Sequence, residues 1–154
     1  MLTFPSDVEI FKNKVQAIFY GHFYKWEPEQ HTKFIQTLGW QPLKKPQVGS
    51  WSVTENIDMD FIDIRERIKF LKYGYGRATD QLNIAIRSNL ISRSKAIKLV
   101  KNIDGKINNK NVKKFCKYLD ISISDYNSIM DSFVNHDLFL KDNKGGWRLK
   151  IDRK

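Results

Sequence analysis

Ile57, Phe61, Ile64, Ile68, Leu71 and Tyr75 follow one another in alternating steps of four and three residues. That spacing keeps all six on one side of an α-helix, so it predicts an apolar stripe about five turns long. Such a stripe has to be covered, and the flanking sequence offers further short helices to do so. Ser6 and Glu9 make a capping box ahead of Val8, Phe11, Val15 and Ile18, which recur at helical spacing. Pro28 suits the first turn of a second helix, with apolar Phe34, Ile35 and Leu38 and a stop at Gly39. Residues 40–52, with Pro42, Pro46 and Gly49, read as a loop.

Beyond the long stripe, Gly74 and Gly76 break the pattern, and another helix is expected from near Thr79 to about Ser88. Ser92 can cap the next, with Ala96, Ile97 and Val100 inward and Gly105 past its end. Val112, Phe115, Cys116 and Leu119 mark one more helix. Ser122 with Asp125 caps a last one, which carries Tyr126, Ile129, Met130 and Phe133. Leu138-Phe139-Leu140, a polar turn from Asp142 to Gly146, and the run from Trp147 to Ile151 predict a β-hairpin. The expected fold class is mainly α: six to seven helices, a C-terminal β-hairpin, and room for a short N-terminal strand.

Several function classes are excluded early. The only cysteine, Cys116, rules out an internal disulfide and any multi-cysteine metal site, and suits a reducing cytoplasm. No run of apolar residues is long enough to cross a bilayer, and Asp7, Glu9 and Lys12 interrupt any signal-peptide core. The expected location is the cytoplasm. Net charge is +10, and it is concentrated. From Asp63 to Lys117 there are 15 Lys and Arg against 4 Asp and Glu, whereas the rest of the chain carries 12 against 13. A segment so biased attracts anions: nucleic acid, an anionic membrane, a phosphorylated small molecule or an acidic protein.

Three constellations could carry chemistry. His22, His31 and His136 are too scattered for a zinc site, no metal centre is expected, and no nucleophile elbow, Walker loop or complete dinucleotide fingerprint occurs. Asp58, Asp60, Asp63 and Glu66 are dense enough to ligate magnesium. The plainer expectation puts Asp58 and Asp60 in a helix's first turn and Asp63 and Glu66 on its wet face. The run Lys72-Tyr73-Gly74-Tyr75-Gly76-Arg77-Ala78-Thr79-Asp80 offers glycines that admit a ligand, free amides at a helix start, and Lys72 and Arg77 for a phosphate. It is equally a helix–turn–helix joint. Lastly, the final helices and hairpin follow the order of a winged helix, with Lys141, Lys144 and Arg148 as a basic wing. Its recognition helix has no Lys or Arg, which disfavours nucleic acid as a partner.

Taken in order, Tyr24-Lys25-Trp26-Glu27-Pro28, Gly49-Ser50-Trp51-Ser52, the Lys72–Asp80 run, Ile86-Arg87, Ile91-Ser92-Arg93, Asp104-Gly105, Ile121-Ser122, Asp131-Ser132-Phe133 and Trp147-Arg148-Leu149 form one pattern. It resembles the C-terminal portion of the N-acetyl sugar amidotransferases of bacterial surface-polysaccharide and lipopolysaccharide biosynthesis, enzymes of the PP-loop ligase type. Glu27 stands where that family usually has Asp, and Tyr75 where Ile is common.

The resemblance implies a reaction in which ATP activates the oxygen of an acetamido group on a nucleotide-linked sugar. Ammonia then displaces AMP and leaves an acetamidino group. It implies ATP and Mg as cofactors of the complete enzyme, and glutaminase and cyclase-like subunits as partners that supply the ammonia. The ATP-binding Ser-Gly-Gly-x-Asp-Ser loop is not in this sequence. The expectation is therefore a C-terminal fragment that is inactive alone and binds neither cofactor tightly. Residues 1–52 are then the remnant of a junction with an ATP-binding domain, and residues 53–154 the helical domain ending in the hairpin. Lys72, Gly74, Gly76, Arg77, Thr79, Arg87 and Arg93 are the expected substrate- or phosphate-binding residues. Tyr24 and Trp26 are candidates for stacking, catalytic residues are not identified, and the exposed junction face is a candidate for self-association.

Overall fold

In the computed structural model, which describes residues 4–143 and 145–151, Ser6, Ser92, Asn108 and Ser122 each cap a helix start, and Lys14, Gly39, Gly74, Asn89, Gly105 and Asp120 turn left-handed at or just past a helix end. The chain divides into two units, Met1–Gln41 and Pro42–Lys154. The first holds α1 (Asp7–Lys12), α2 (Tyr20–Phe23) and α3 (Pro28–Thr37). The Ser6–Glu9 capping box is present, but α1 stops at Lys12 and does not extend to Ile18. Lys14 takes φ +53°, Val15 N–H donates to the Ile10 carbonyl at 3.0 Å and Lys14 N–H to that of Phe11 at 3.1 Å. This paired termination closes the helix although no glycine marks it. Pro28 opens α3 as expected, and Gly39 at φ +91° ends it. None of the described residues of this unit is buried, and the segment around Phe23 is helical where a strand had room to form.

The second unit contains α4 (Ile62–Tyr73), α5 (Arg77–Arg87), α6 (Arg93–Ile103), α7 (Asn109–Leu119), α8 (Ile123–Ser132) and the strands β1 (Phe139–Lys141) and β2 (Trp147–Leu149). The loop Gly49–Ser52 lies in this unit. The strands pair antiparallel with Phe139 opposite Leu149 and Lys141 opposite Trp147. The described residues thus form eight helices, two of them very short, and one hairpin. The chain is mainly α.

The central helix departs from expectation in two ways. It starts at Ile62, five residues later than the stripe predicts, because Asn56 adopts φ +53° and a turn from Asn56 to Met59 intervenes. Asp58 and Asp60 therefore precede the helix, outside its first turn. Second, Asp63 and Glu66 are not on a wet face: they are 1% and 5% exposed. The helix is surrounded on more sides than a single stripe serves, and Ile62 and Phe70 are buried along with Ile64 and Leu71.

Two apolar clusters result. Ile64, Phe70 and Leu71 of α4 pack with Val112 and Cys116 of α7, Tyr126 and Met130 of α8, and Phe139 of β1. Ala78 and Leu82 of α5 pack with Ala96 and Val100 of α6, against which Trp51 and Ile86 lie. The Ser122–Asp125 capping box starts α8, and Asp120 at φ +54° ends α7.

Candidate functional site

The joint between α4 and α5 is built from carboxylates delivered by other segments. Gly74 takes φ +78°, and a Cβ there would come within 3.2 Å of Leu149, so the chain turns tightly against the hairpin. The N-terminus of α5 faces Asp104. Gly76 N–H donates to Asp104 Oδ2 at 3.0 Å, Thr79 N–H to Oδ1 at 3.3 Å, and the Thr79 hydroxyl to Oδ2 at 2.5 Å. Two of the amide donors expected to be free for a phosphate are thus held by a side-chain carboxylate acting as the helix cap.

Arg77 and Lys69 belong to a network of alternating charge. Arg77 Nη2 binds Glu55 Oε2, and Nη1 lies 3.9 Å from Asp80. Lys69 binds the same Asp80 oxygen, sits 4.0 Å from Glu66 and rests over the Tyr75 ring. Arg65 reaches Glu66 at 2.9 Å. Glu55 also accepts from Gln81 Nε2 at 3.1 Å, and Gln81 Oε1 accepts the N–H groups of Trp51 and Ser52 at 2.7 and 3.0 Å. Gln81 and Arg77 thereby latch the Ser50–Glu55 loop onto α5.

The expected site residues separate into groups. Gly74, Gly76, Arg77 and Thr79 meet at the joint. Thr79 and Arg93, with Tyr75 and Asn83, line a cavity of about 300 Å³ between α5 and α6. Lys72 is exposed and points its ammonium over the Phe133 ring at 4.7 Å. Arg87 is exposed at the end of α5. Tyr24 stacks on Tyr20 at 4.6 Å, and Trp26 meets His31 edge-on at 4.7 Å, both within the first unit. Lys144 lies outside the described residues. Glu55 and Gln81 escape the sequence reading because nothing in a loop glutamate or a helical glutamine announces a partner so distant in the chain.

The four acids of the 63–117 segment share one property. Asp63 is buried and accepts Asn108 N–H at 2.8 Å and the Asn111 amide at 3.1 Å. Glu66 and Asp80 sit in the charge network, and Asp104 caps α5. The cations Arg87, Arg93, Lys95, Lys98, Lys106 and Lys110 are exposed by contrast. Asp63 and Glu66 are buried and Asp80 and Asp104 are engaged by neighbouring groups, so the segment's exposed charge is mainly positive.

A search of curated proteins finds no match to the chain. Comparison with family models finds one for the LPS biosynthesis protein WbpG-like, C-terminal domain, which matches residues 29–152. That span covers all but the first residue of α3, the whole joint, both apolar clusters and the hairpin. The chain belongs to this LPS biosynthesis family, matching its C-terminal domain over residues 29–152.

Proposed function

We propose that this chain serves as the C-terminal domain of an ATP-dependent N-acetyl sugar amidotransferase, converting an acetamido group of a nucleotide-linked sugar to an acetamidino group during LPS biosynthesis. The observation that carries the reading is the run of exposed cations over residues 63–117, whose acids are buried or engaged by neighbouring groups. That surface fits a diphosphate. Arg87 and Arg93, with Lys72, are the residues to contact it. Arg77 acts as a positioning residue, since Glu55 and Asp80 already engage its guanidinium and its role is to hold the Ser50–Glu55 loop in place.

Bound ATP would supply activation of the acetamido oxygen for its replacement by nitrogen. Among the described residues, no three His, Cys, Asp or Glu side chains converge on a metal site, and Asp63 and Glu66 are engaged internally. In this reading the adenylation would fall to an ATP- and magnesium-holding domain of the enzyme rather than to the joint. Glutaminase and cyclase-like partners supply the ammonia, and the cytoplasm is where these substrates meet. A winged-helix reading is not favoured: α8 carries no Lys or Arg, and Lys141 of the wing is drawn to Asp131 at 3.5 Å.

A thermal-shift titration tests the reading. A ligand that binds the folded state alone raises the melting temperature with concentration. UDP-N-acetylglucosamine and pyrophosphate are expected to do so, and the Arg87→Ala/Arg93→Ala variant to lose at least half the shift. Both side chains are exposed, so the variant keeps its fold. A shift with duplex DNA alone, or none with either phosphate ligand, sinks the proposal.

A further inference from the structure

The helix α7 reads Asn-Lys-Asn-Val-Lys-Lys-Phe-Cys-Lys-Tyr-Leu. Val112 and Cys116 are buried in the first apolar cluster and fix its inner face. The outer face carries Lys110, Lys113, Lys114 and Lys117, all exposed. Positions three, four and seven apart lie together on a helix, so the four ammonium groups share one face about 10 Å long. Like charges at these spacings weaken a helix, and α7 has no Asp or Glu to offset them. Among the described residues none of the four forms an ion pair, and Asp120 at the C-cap pairs with none of them.

The cationic row ends in apolar groups. Tyr118 stands four residues beyond Lys114 and is 76% exposed, followed by Leu119 at 47% and Ile123 of α8 at 44%. A tyrosine has an apolar body and a polar tip, which suits a boundary between water and lipid, and exposed Leu and Ile side chains suit the region just beneath it. Lysines beside such residues supply the attraction to anionic headgroups.

We propose that this face of α7 docks the protein peripherally on an anionic lipid surface. Lys110, Lys113, Lys114 and Lys117 meet the headgroup phosphates, and Tyr118, Leu119 and Ile123 settle into the boundary. The residue types favour lipid over protein or nucleic acid. Packed protein interfaces are enriched in Arg and depleted of Lys, and Arg is the better fork for one defined carboxylate or phosphate. All four cations here are Lys, flexible point charges that suit a mobile array of headgroups. A nucleic-acid backbone would use the lysines and leave the three apolar side chains idle. Docking of this kind needs no spanning segment, and no described helix is long and apolar enough to cross a membrane. The face is also separate from Arg87 and Arg93, which belong to α5 and α6, so it does not rest on the nucleotide-sugar reading.

The test is co-sedimentation of the full chain with vesicles of phosphatidylglycerol and phosphatidylcholine in equal parts, against vesicles of phosphatidylcholine alone. The parent is expected to pellet with the anionic vesicles and to stay in solution with the neutral ones. Each Lys close to such a surface contributes roughly fivefold in partitioning, so Lys113→Gln/Lys117→Gln should weaken it about twentyfold. Lys95→Gln/Lys98→Gln removes the same charge from exposed positions on α6, and should weaken it by less than about threefold, because screening confines the attraction to charges near the surface. All four substituted side chains are exposed, and thermal melts should match the parent. Absence of pelleting with the anionic vesicles, or equal loss from the two double variants, would overturn the proposal. Release of the bound chain by poly-glutamate or duplex DNA at equal charge concentration would overturn it in favour of an acidic protein or a nucleic acid.

Discussion

The carboxylate of Asp63 and the backbone N–H of Asn108 meet at 2.8 Å across 45 positions of sequence. The first turn of α4 is thereby fastened to the start of α7, with Asn111 donating to the other oxygen. Removing the carboxylate leaves the part-buried Asn108 N–H without this acceptor, which costs more than the bond itself contributes. Asp63→Ala is expected to destabilise the protein by about 3 kcal/mol, measured by urea unfolding. Asp58→Ala, at an exposed residue ahead of the helix, is expected to change stability by less than about 0.5 kcal/mol.

Gly105 carries φ +72°, and a Cβ placed on it would lie 2.5 Å from Phe70 Cδ1. Its neighbour Asp104 caps α5. Gly105→Ala combines left-handed backbone strain with a clash against a core ring and should cost about 3 kcal/mol or more. Asp104→Ala should cost about 1–2 kcal/mol through loss of the cap. Thermal melts of the two variants would rank them in that order.

Arg77 and Glu55 should be energetically coupled, since both side chains are largely shielded and the loop depends on them. A double-mutant cycle with Arg77→Ala and Glu55→Ala is expected to give a coupling of about 1–2 kcal/mol, larger than an exposed pair provides. Additive effects would show that Gln81 alone holds the loop.

Burial pushes the Tyr126 phenol up to about 12 from its ordinary 10. The neutral form is the one the fold favours, so the unfolded chain releases this proton first. Its contribution to stability is complete below pH 10 and is lost as pH rises from 10 to about 12. Absorbance at 295 nm should show one tyrosine titrating near the top of that window, and Tyr126→Phe should abolish this component.

In the first unit Phe19 is 90% and Trp26 69% exposed, with Phe23 and Tyr24 also open to solvent. Apolar surface on that scale favours association. Sedimentation velocity is expected to show concentration-dependent self-association of the full chain, reduced by Phe19→Ser/Phe23→Ser. A concentration-independent monomer would count against this.

What the sequence makes legible follows from local chemistry. The capping boxes at Ser6 and Ser122, the cap at Ser92, Pro28 at the head of α3, Gly39 at its foot and the hairpin all rest on interactions within a few residues, and all are present. Helix ends without glycine were not legible. Lys14, Asn89 and Asp120 take left-handed φ, and only tertiary fit selects them over their neighbours. The apolar stripe gave the axis of α4 but not its surroundings. Periodicity ranks residues by polarity, so it sent Asp63 and Glu66 outward, whereas hydrogen bonding to Asn108 and pairing with Arg65 took them in. The joint was recognisable as a motif from Lys72 to Asp80, yet its partners Glu55, Gln81 and Asp104 lie elsewhere in the chain, where no local spacing points to them.

The positions of the partners that complete α4 bear on how the chain is made. Its first turn waits for Asn108, and near its other end the Leu71 carbonyl accepts Asn135 N–H at 2.9 Å. On a ribosome, α4 would emerge early and remain unfinished until the last helix and the hairpin had left the exit tunnel. The second unit should therefore fold as a late, single event. A nascent chain halted before Asn135 would hold its central helix half-dressed, offering Leu71 and Phe70 to any chaperone waiting outside.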